Sequence, residues 1–267
     1  MSKLPASGSG YFRSGMPYVR VGSGPNPLVI LQGLMFENKP QRGMTAGYGF
    51  LGRDYTIFSV LRRPGMPAGY TLADMATDYA VTIGEEFGAQ VDVIGVSTGG
   101  AIAQHLAADH PGGVRRLVLH SSAHTLSDPA RELQLEVGRL AQDGEAGRAA
   151  EVLVRFLLPH RGAWRVIGGP SAWVGSRLIS AGVSGDLRDL TITVEAEDRH
   201  CFRDRLGEIT APTLVIAGSA DPFYTPLLFQ ETAAGIPDSR LVLYEGMRHP
   251  ARGRRFRRQV AAFLGGG

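Results

Sequence analysis

Short apolar runs rich in β-branched residues alternate along the chain with longer stretches whose apolar residues recur every three to four positions. The runs occupy 28–31, 56–61, 91–94, 117–119, 214–217 and 241–244, and each is almost continuously apolar, as a strand buried on both faces requires. Strands of that kind separated by helical spacing predict an α/β fold, a mostly parallel central sheet with helices on both faces. Residues 18–21 and 27–31 flank the turn-forming stretch 22–27, which predicts that the sheet opens with antiparallel strands joined by hairpins. Thr71 followed three positions later by Asp74 has the form of a capping box. Leu72, Met75, Tyr79, Ile83 and Phe87 continue it at helical spacing, and Gly88 is placed to end that helix.

From Ala123 to about Gly207 the strand signal lapses, and Leu133, Val137, Leu140, Val152, Leu153, Phe156 and Leu157 repeat with helical spacing. This pattern predicts a mainly helical cap, 124–207, inserted into a core made of 1–123 and 208–267. The middle of the insertion, 160–186, is rich in Gly and Ser and carries both tryptophans, Trp164 and Trp173, which reads as lid segments with apolar anchors.

Composition narrows the classes. With 43% hydrophobic and 20% charged residues the chain is neither disordered nor membrane-embedded. No apolar run approaches transmembrane length and the first ten residues lack the apolar core of a signal peptide, so the expectation is a cytoplasmic protein. The basic pI of about 9.2 comes from 28 Lys and Arg nearly balanced by 25 acids, not from a basic tail. Arg248, Arg252, Arg254, Arg255, Arg257 and Arg258 suit the polar face of a C-terminal helix whose apolar side holds Val260, Phe263 and Leu264, so no nucleic-acid partner is expected. A single cysteine, Cys201, excludes an internal disulfide and suggests a half-buried thiol; no ligand cluster or phosphate loop calls for a metal or organic cofactor. Oligomeric state leaves no mark in the sequence.

One segment carries chemistry. The strand at 91–94 runs into Gly95-Val96-Ser97-Thr98-Gly99-Gly100 and then into a helical stretch, giving strand, tight turn and helix in that order. Such an elbow lifts the Ser97 hydroxyl clear of the sheet, needs small residues at 95 and 99, and leaves the Thr98 N–H at a helix N-terminus, where it can donate to an oxyanion. A serine also needs a base and a group to orient that base. Of seven histidines, His105 and His110 lie on or just after the elbow helix, and His160 and His200 fall in the insertion. His120 and His124 end the strand after the elbow, as packing residues or at a pocket mouth. His249 lies in the loop after the last strand. Asp221, on the turn after 214–217, is placed to reach the Nδ1 side of His249, and no rival acid follows Leu119 before Asp128.

Gln32-Gly33 after a strand, Gly95 to Gly100, Pro212 to Gly218 followed by Asp221, and His249-Pro250 together resemble the α/β-hydrolase superfamily, over nearly the whole chain and in the order Ser, Asp, His. The resemblance implies that His249 is the base and that the second oxyanion amide is the Leu34 N–H, with Gln32 standing where the family usually has His. Serine at the elbow sets the chain apart from dehalogenase and epoxide hydrolase relatives, which place Asp there. The implied activity is acyl transfer through an acyl-serine, an esterase reaction on a small to medium apolar substrate, the only partner expected. Phe156, Trp164, Trp173 and His124 are the candidate pocket residues. The same triad also serves lactones, thioesters, C–C bonds beside a ketone and perhydrolysis. A ligand receptor that does not turn over is the reading from another class.

Overall fold

The computed structural model describes residues 7–41, 43–158, 183 and 186–266. Its strands β1 (Ser7–Tyr11), β2 (Pro17–Val21), β3 (Asn26–Leu31), β4 (Tyr55–Val60), β5 (Val91–Val96), β6 (Val114–His120), β7 (Thr213–Gly218) and β8 (Ser239–Tyr244) form one sheet in the order β1-β2-β4-β3-β5-β6-β7-β8. Strands β3 to β8 are mutually parallel, and all six apolar runs fall on them. Alternate residues face opposite layers. Val29, Leu31, Val93, Leu119 and Val215 pack under α1 (Leu72–Phe87) and α2 (Thr98–Asp109), while Leu28, Ile30, Ile94, Val118 and Ile216 pack under the C-terminal helix.

The opening of the sheet differs from the hairpin expected between 18–21 and 27–31. Strand β2 is antiparallel to β4, with Tyr18 opposite Val60, and pairs with β1 on its other side; β3 lies in the interior between β4 and β5. Burial decides the placement, because β3 is apolar on both faces and stable only inside the sheet. The intervening turn carries the chain across the start of β4. A Cβ at Gly24 would lie 2.1 Å from the Asp54 carbonyl carbon, so only glycine permits that crossing. Strand β1, Ser-Gly-Ser-Gly-Tyr, has no hydrophobic alternation and is held by its backbone ladder to β2, which is why the pattern did not reveal it.

Helix α1 begins and ends where the sequence indicates. Thr71 Oγ1 accepts from the Asp74 N–H at 3.1 Å, Asp74 accepts from the Thr71 N–H at 2.9 Å, and Gly88 closes the helix at φ 65°. Between β6 and β7 the described residues form α3 (Asp128–Gln142), α4 (Ala146–Leu157) and α5 (Arg188–Asp198). Their apolar faces make a separate cluster of Val137, Leu140, Ala149, Ala150, Leu190 and Val194 that also takes Phe36 from the loop after β3. Trp164, Trp173 and His160 lie outside the described residues.

After β7 the chain forms α6 (Pro226–Gly235), then β8 and α7 (Arg254–Gly265). Helix α7 buries Phe256, Val260 and Leu264 and exposes Arg254, Arg255, Arg257 and Arg258, as the spacing required. Arg248 departs from that face. Its guanidinium donates to the carbonyls of Phe156, Leu157 and Leu158 at 3.2–3.3 Å, where the unpaired carbonyls at the end of α4 attract a cation. Cys201 is exposed rather than half-buried, because its neighbours His200 and Phe202 take the inward positions. No described helix is long and apolar enough to cross a membrane.

His120 and His200 are buried uncharged. His120 Nε2 lies 2.7 Å from the Ala251 carbonyl and therefore carries the proton, leaving Nδ1 to accept from the Tyr48 hydroxyl at 2.5 Å. Burial pushes both His120 and His200 down to about 3. Below the ordinary histidine value the unfolded chain therefore takes up protons that the folded chain refuses, and stability falls with falling pH by about 1.4 kcal/mol per pH unit per histidine. Glu197, whose carboxyl burial raises, acts in the opposite direction. Urea titrations between pH 7 and pH 4.5 should show a shallower acid loss for His120→Asn than for wild type. Parallel curves would mean that His120 takes up its proton over the same pH range in the folded and the unfolded protein.

Candidate active site

Ser97 sits between β5 and α2 with φ 52° and ψ −124°, a backbone conformation that L-residues rarely adopt. Its surroundings enforce it. A Cβ at Gly95 would meet Gly100 Cα at 2.6 Å and Ala103 Cβ at 2.7 Å, and one at Gly99 would meet the Leu31 carbonyl oxygen at 2.2 Å. The Ser97 N–H donates to the His120 carbonyl at 3.0 Å, and its own carbonyl accepts from the Gly100 N–H at 2.7 Å, starting α2. Ser97 is thus fixed at the C-terminal edge of the parallel sheet, with the amide end of a buried helix directly behind it.

Asp221 and His249 come from the same edge, after β7 and β8. A Cβ at Gly218 would lie 2.0 Å from the Met247 carbonyl oxygen, and the Ala220 N–H donates to that oxygen at 3.0 Å, so the two loops abut. One Asp221 oxygen accepts from the Phe223 N–H at 2.9 Å and the other lies 2.7 Å from His249 Nδ1. The carboxylate is wholly buried and the imidazole side chain 8% exposed. A carboxylate at Nδ1 holds the proton there and leaves Nε2 as an acceptor. Rings of Phe223 and Tyr224 flank the imidazole at 4.8 and 6.3 Å. The Tyr224 hydroxyl, fully buried, faces the hydroxyls of Ser97 and Ser122, so this side chain spans from the serine to the histidine. Burial, then the charges of Glu197 and Asp221, keep its phenol protonated.

The loop after β3 closes the other side. A Cβ on Gly33 would lie 3.3 Å from Ser97 Cβ, which puts the Gly33–Leu34 peptide beside the serine. Gln32 ties this loop to β4, because its Nε2 donates to Ser59 Oγ at 2.6 Å and to the Met44 carbonyl at 3.3 Å. Arg62 Nη1 donates to the carbonyls of Gln32 at 3.2 Å and Gly33 at 3.1 Å. The Thr98 hydroxyl donates to Glu197 Oε2 at 2.7 Å. Burial raises the Glu197 carboxyl against the opposing hydrogen bonds of Thr98 and Gln134 and the charges of Arg62 and His249.

Arg62, Glu197 and Tyr224 carry no signal in the sequence pattern. Charged residues are usually exposed, and nothing in the spacing of α5 marks Glu197 as its buried acid. Of the candidate pocket residues, Phe156 packs edge-on against Phe223 at 5.1 Å, one ring removed from His249. His124 is buried with its backbone N–H and Nδ1 at 2.9 and 3.1 Å from Thr232 Oγ1 and Nε2 3.7 Å from Glu231, contacts that run to α6. Among the described residues no group of three or more His, Cys, Asp or Glu is arranged to hold a metal ion.

A mostly parallel eight-stranded sheet with helices on both faces and a serine elbow after its fifth strand defines an α/β-hydrolase fold. The model of the α/β hydrolase family matches residues 41–262, and the chain belongs to that family. It is 29% identical over 199 residues to a Yersinia enterocolitica protein named "Putative carbamate hydrolase RutD", a match covering 69% of this chain and 66% of that protein, just under two thirds of its length. The protein of the same name from Serratia proteamaculans is 29% identical over 200 residues, covering 70% and 69%. Among solved structures, a hydrolase from Pseudomonas aeruginosa shares the fold at a TM-score of 0.79 with 23% identity, covering 98% of this chain and 100% of that one. The enol-lactonase of Burkholderia xenovorans does so at 0.76 and 21%, covering 97% and 100%.

The contacts at Gly99 yield a packing test. Gly99→Ala drives a methyl into the Leu31 carbonyl and should lower stability by about 1–3 kcal/mol. Gly84→Ala, on a helix face with nothing within 4 Å of the new methyl, should be neutral or stabilising by up to about 1 kcal/mol. Equal melting temperatures for Gly99→Ala and wild type would refute the close approach of α2 to β3.

Proposed function

We propose that the chain is a serine hydrolase that cleaves carboxylic esters of small to medium apolar substrates through an acyl-serine. The observation that carries this reading is the pairing of a serine held at φ 52° in an elbow with an imidazole oriented by a buried carboxylate at 2.7 Å. In the proposed cycle His249 Nε2 takes the Ser97 proton as the serine attacks the carbonyl, and Asp221 stabilises the imidazolium. The N–H groups of Leu34 and Thr98 receive the oxyanion. His249 then protonates the departing alcohol, and water repeats the sequence to release the acid. Nothing in this cycle requires a metal or organic cofactor. The helices of 124–207 serve as a cap over a core of 1–123 and 208–267, with Phe156 near the acyl pocket.

A second reading draws on the relatives named for carbamate hydrolysis, since the same attack applies to a carbonyl bonded to nitrogen. A panel of p-nitrophenyl esters of graded acyl length, beside a simple alkyl carbamate assayed for ammonia, separates the two. Wild type should turn over the esters with an optimum at short to medium chains, and folded Ser97→Ala should lose that activity. Asp221→Asn should lower kcat by roughly 10³–10⁴-fold through the wrong imidazole tautomer. Equal turnover by Ser97→Ala and wild type would falsify the acyl-serine route. Stabilisation by a small molecule that is never consumed, with no turnover of any panel member, would replace it with a receptor.

A further inference from the structure

Arg62 is the largest side chain in the fully buried interior, 1% exposed, and the cycle above leaves it without a role. Its Nη1 makes both of its hydrogen bonds to the loop beside Ser97, and among the described residues Nε and Nη2 have no hydrogen-bond partner. Burial lowers its affinity for the proton, against the opposing influence of Tyr79, Glu197 and Asp189. As packing alone this is a poor arrangement, because an apolar side chain of similar volume avoids the desolvation cost of a buried guanidinium. The position of its bonds supplies a reason. The Gly33 carbonyl and the Leu34 N–H belong to one planar trans peptide and point in opposite directions, so anchoring that oxygen fixes where the N–H points. A carbonyl that accepts from a cation also polarises its own peptide and makes the N–H a stronger donor. Glu197 holds the hydroxyl of Thr98, the other oxyanion residue, and feels the charges of both Arg62 and His249.

We propose that Arg62 is a positioning residue for acyl transfer: by donating to the Gly33 carbonyl it aims and polarises the Leu34 N–H toward the oxyanion. The inference rests on the acyl-serine reading of the site. It requires Arg62 to act on the tetrahedral state more than on the bound substrate, because only there does the acyl oxygen carry a full charge.

The test compares Arg62→Met and Arg62→Lys with wild type on the best ester, each protein checked by its melting curve. A folded Arg62→Met should lose roughly 10–100-fold in kcat with KM within about twofold, less than the loss of a whole oxyanion donor. Its affinity for an alkyl boronic acid, which forms a tetrahedral adduct on Ser97, should fall by a similar factor, and Arg62→Lys should recover part of both. A folded Arg62→Met with kcat within about twofold of wild type, or with its loss confined to KM, overturns the proposal. In wild type itself the Leu34 amide and Arg62 guanidinium NMR signals should move together when the boronic acid adds. A Leu34 signal that moves while Arg62 stays fixed also overturns it, whether or not the variants fold. Absence of any Ser97-dependent turnover or adduct in wild type is a different result, since it removes the acyl-serine reading itself.

Discussion

Helix α2 lies so close to the ends of β3 and β5 that no side-chain carbon fits at Gly95 or Gly99, and this approach of backbone to backbone governs the site. It bends the chain through the left-handed Ser97, at an expected strain of about 1–3 kcal/mol. Neighbouring hydrogen bonds to His120 and Gly100 leave the serine no relaxed alternative. The same contact brings the carbonyl end of β3, and with it Gly33, against Ser97. A second close approach, Gly218 on Met247, does the equivalent for the loops after β7 and β8 and sets Asp221 against His249. Both depend on glycines whose missing side chains let strands and helices meet at main-chain distance.

Around these contacts the protein buries an unusual set of polar groups. Arg62, Glu197, Tyr224, Asp221 and Ser122 are each at most 9% exposed, and several of their atoms have no hydrogen-bond partner among the described residues. Groups of that kind oppose folding, so the large apolar clusters on the two sheet faces must outweigh them. In return the site has a low dielectric and fixed dipoles, the setting in which a developing negative charge is most sensitive to nearby N–H groups. Helix α5 contributes Glu197 to this interior and Asp189 to the loop after β4, so the segment between β6 and β7 is tied to the serine through polar bonds as well as apolar packing.

Where the sequence pattern misled, long-range pairing or individual burial was at issue. The turn at 22–27 was legible, but whether the strand after it folds back or passes into the sheet depends on β4, some thirty residues later. Strand β1 exists because β2 offers it a ladder, and Ser-Gly-Ser-Gly-Tyr has no pattern of its own. Arg248 and Cys201 depart from expectation for the same reason: the end of α4 and the slots filled by His200 and Phe202 are set by folded neighbours.

By itself the sequence determined the α/β class, seven of the eight strands, the capping box of α1, and the residues Ser97, Asp221 and His249 as a set worth bringing together. The strands, the capping box and the elbow are local, written in period, turn chemistry and small residues, while His249 was singled out by the resemblance to the α/β-hydrolase superfamily. Only the tertiary structure decided the strand order, the 2.7 Å contact across 28 residues between Asp221 and His249, and the bonds of Arg62 to Gly33 and of Thr98 to Glu197 next to Ser97. A buried charge is recognised by what surrounds it, and its surroundings here come from segments as far apart as β3, β4 and α5.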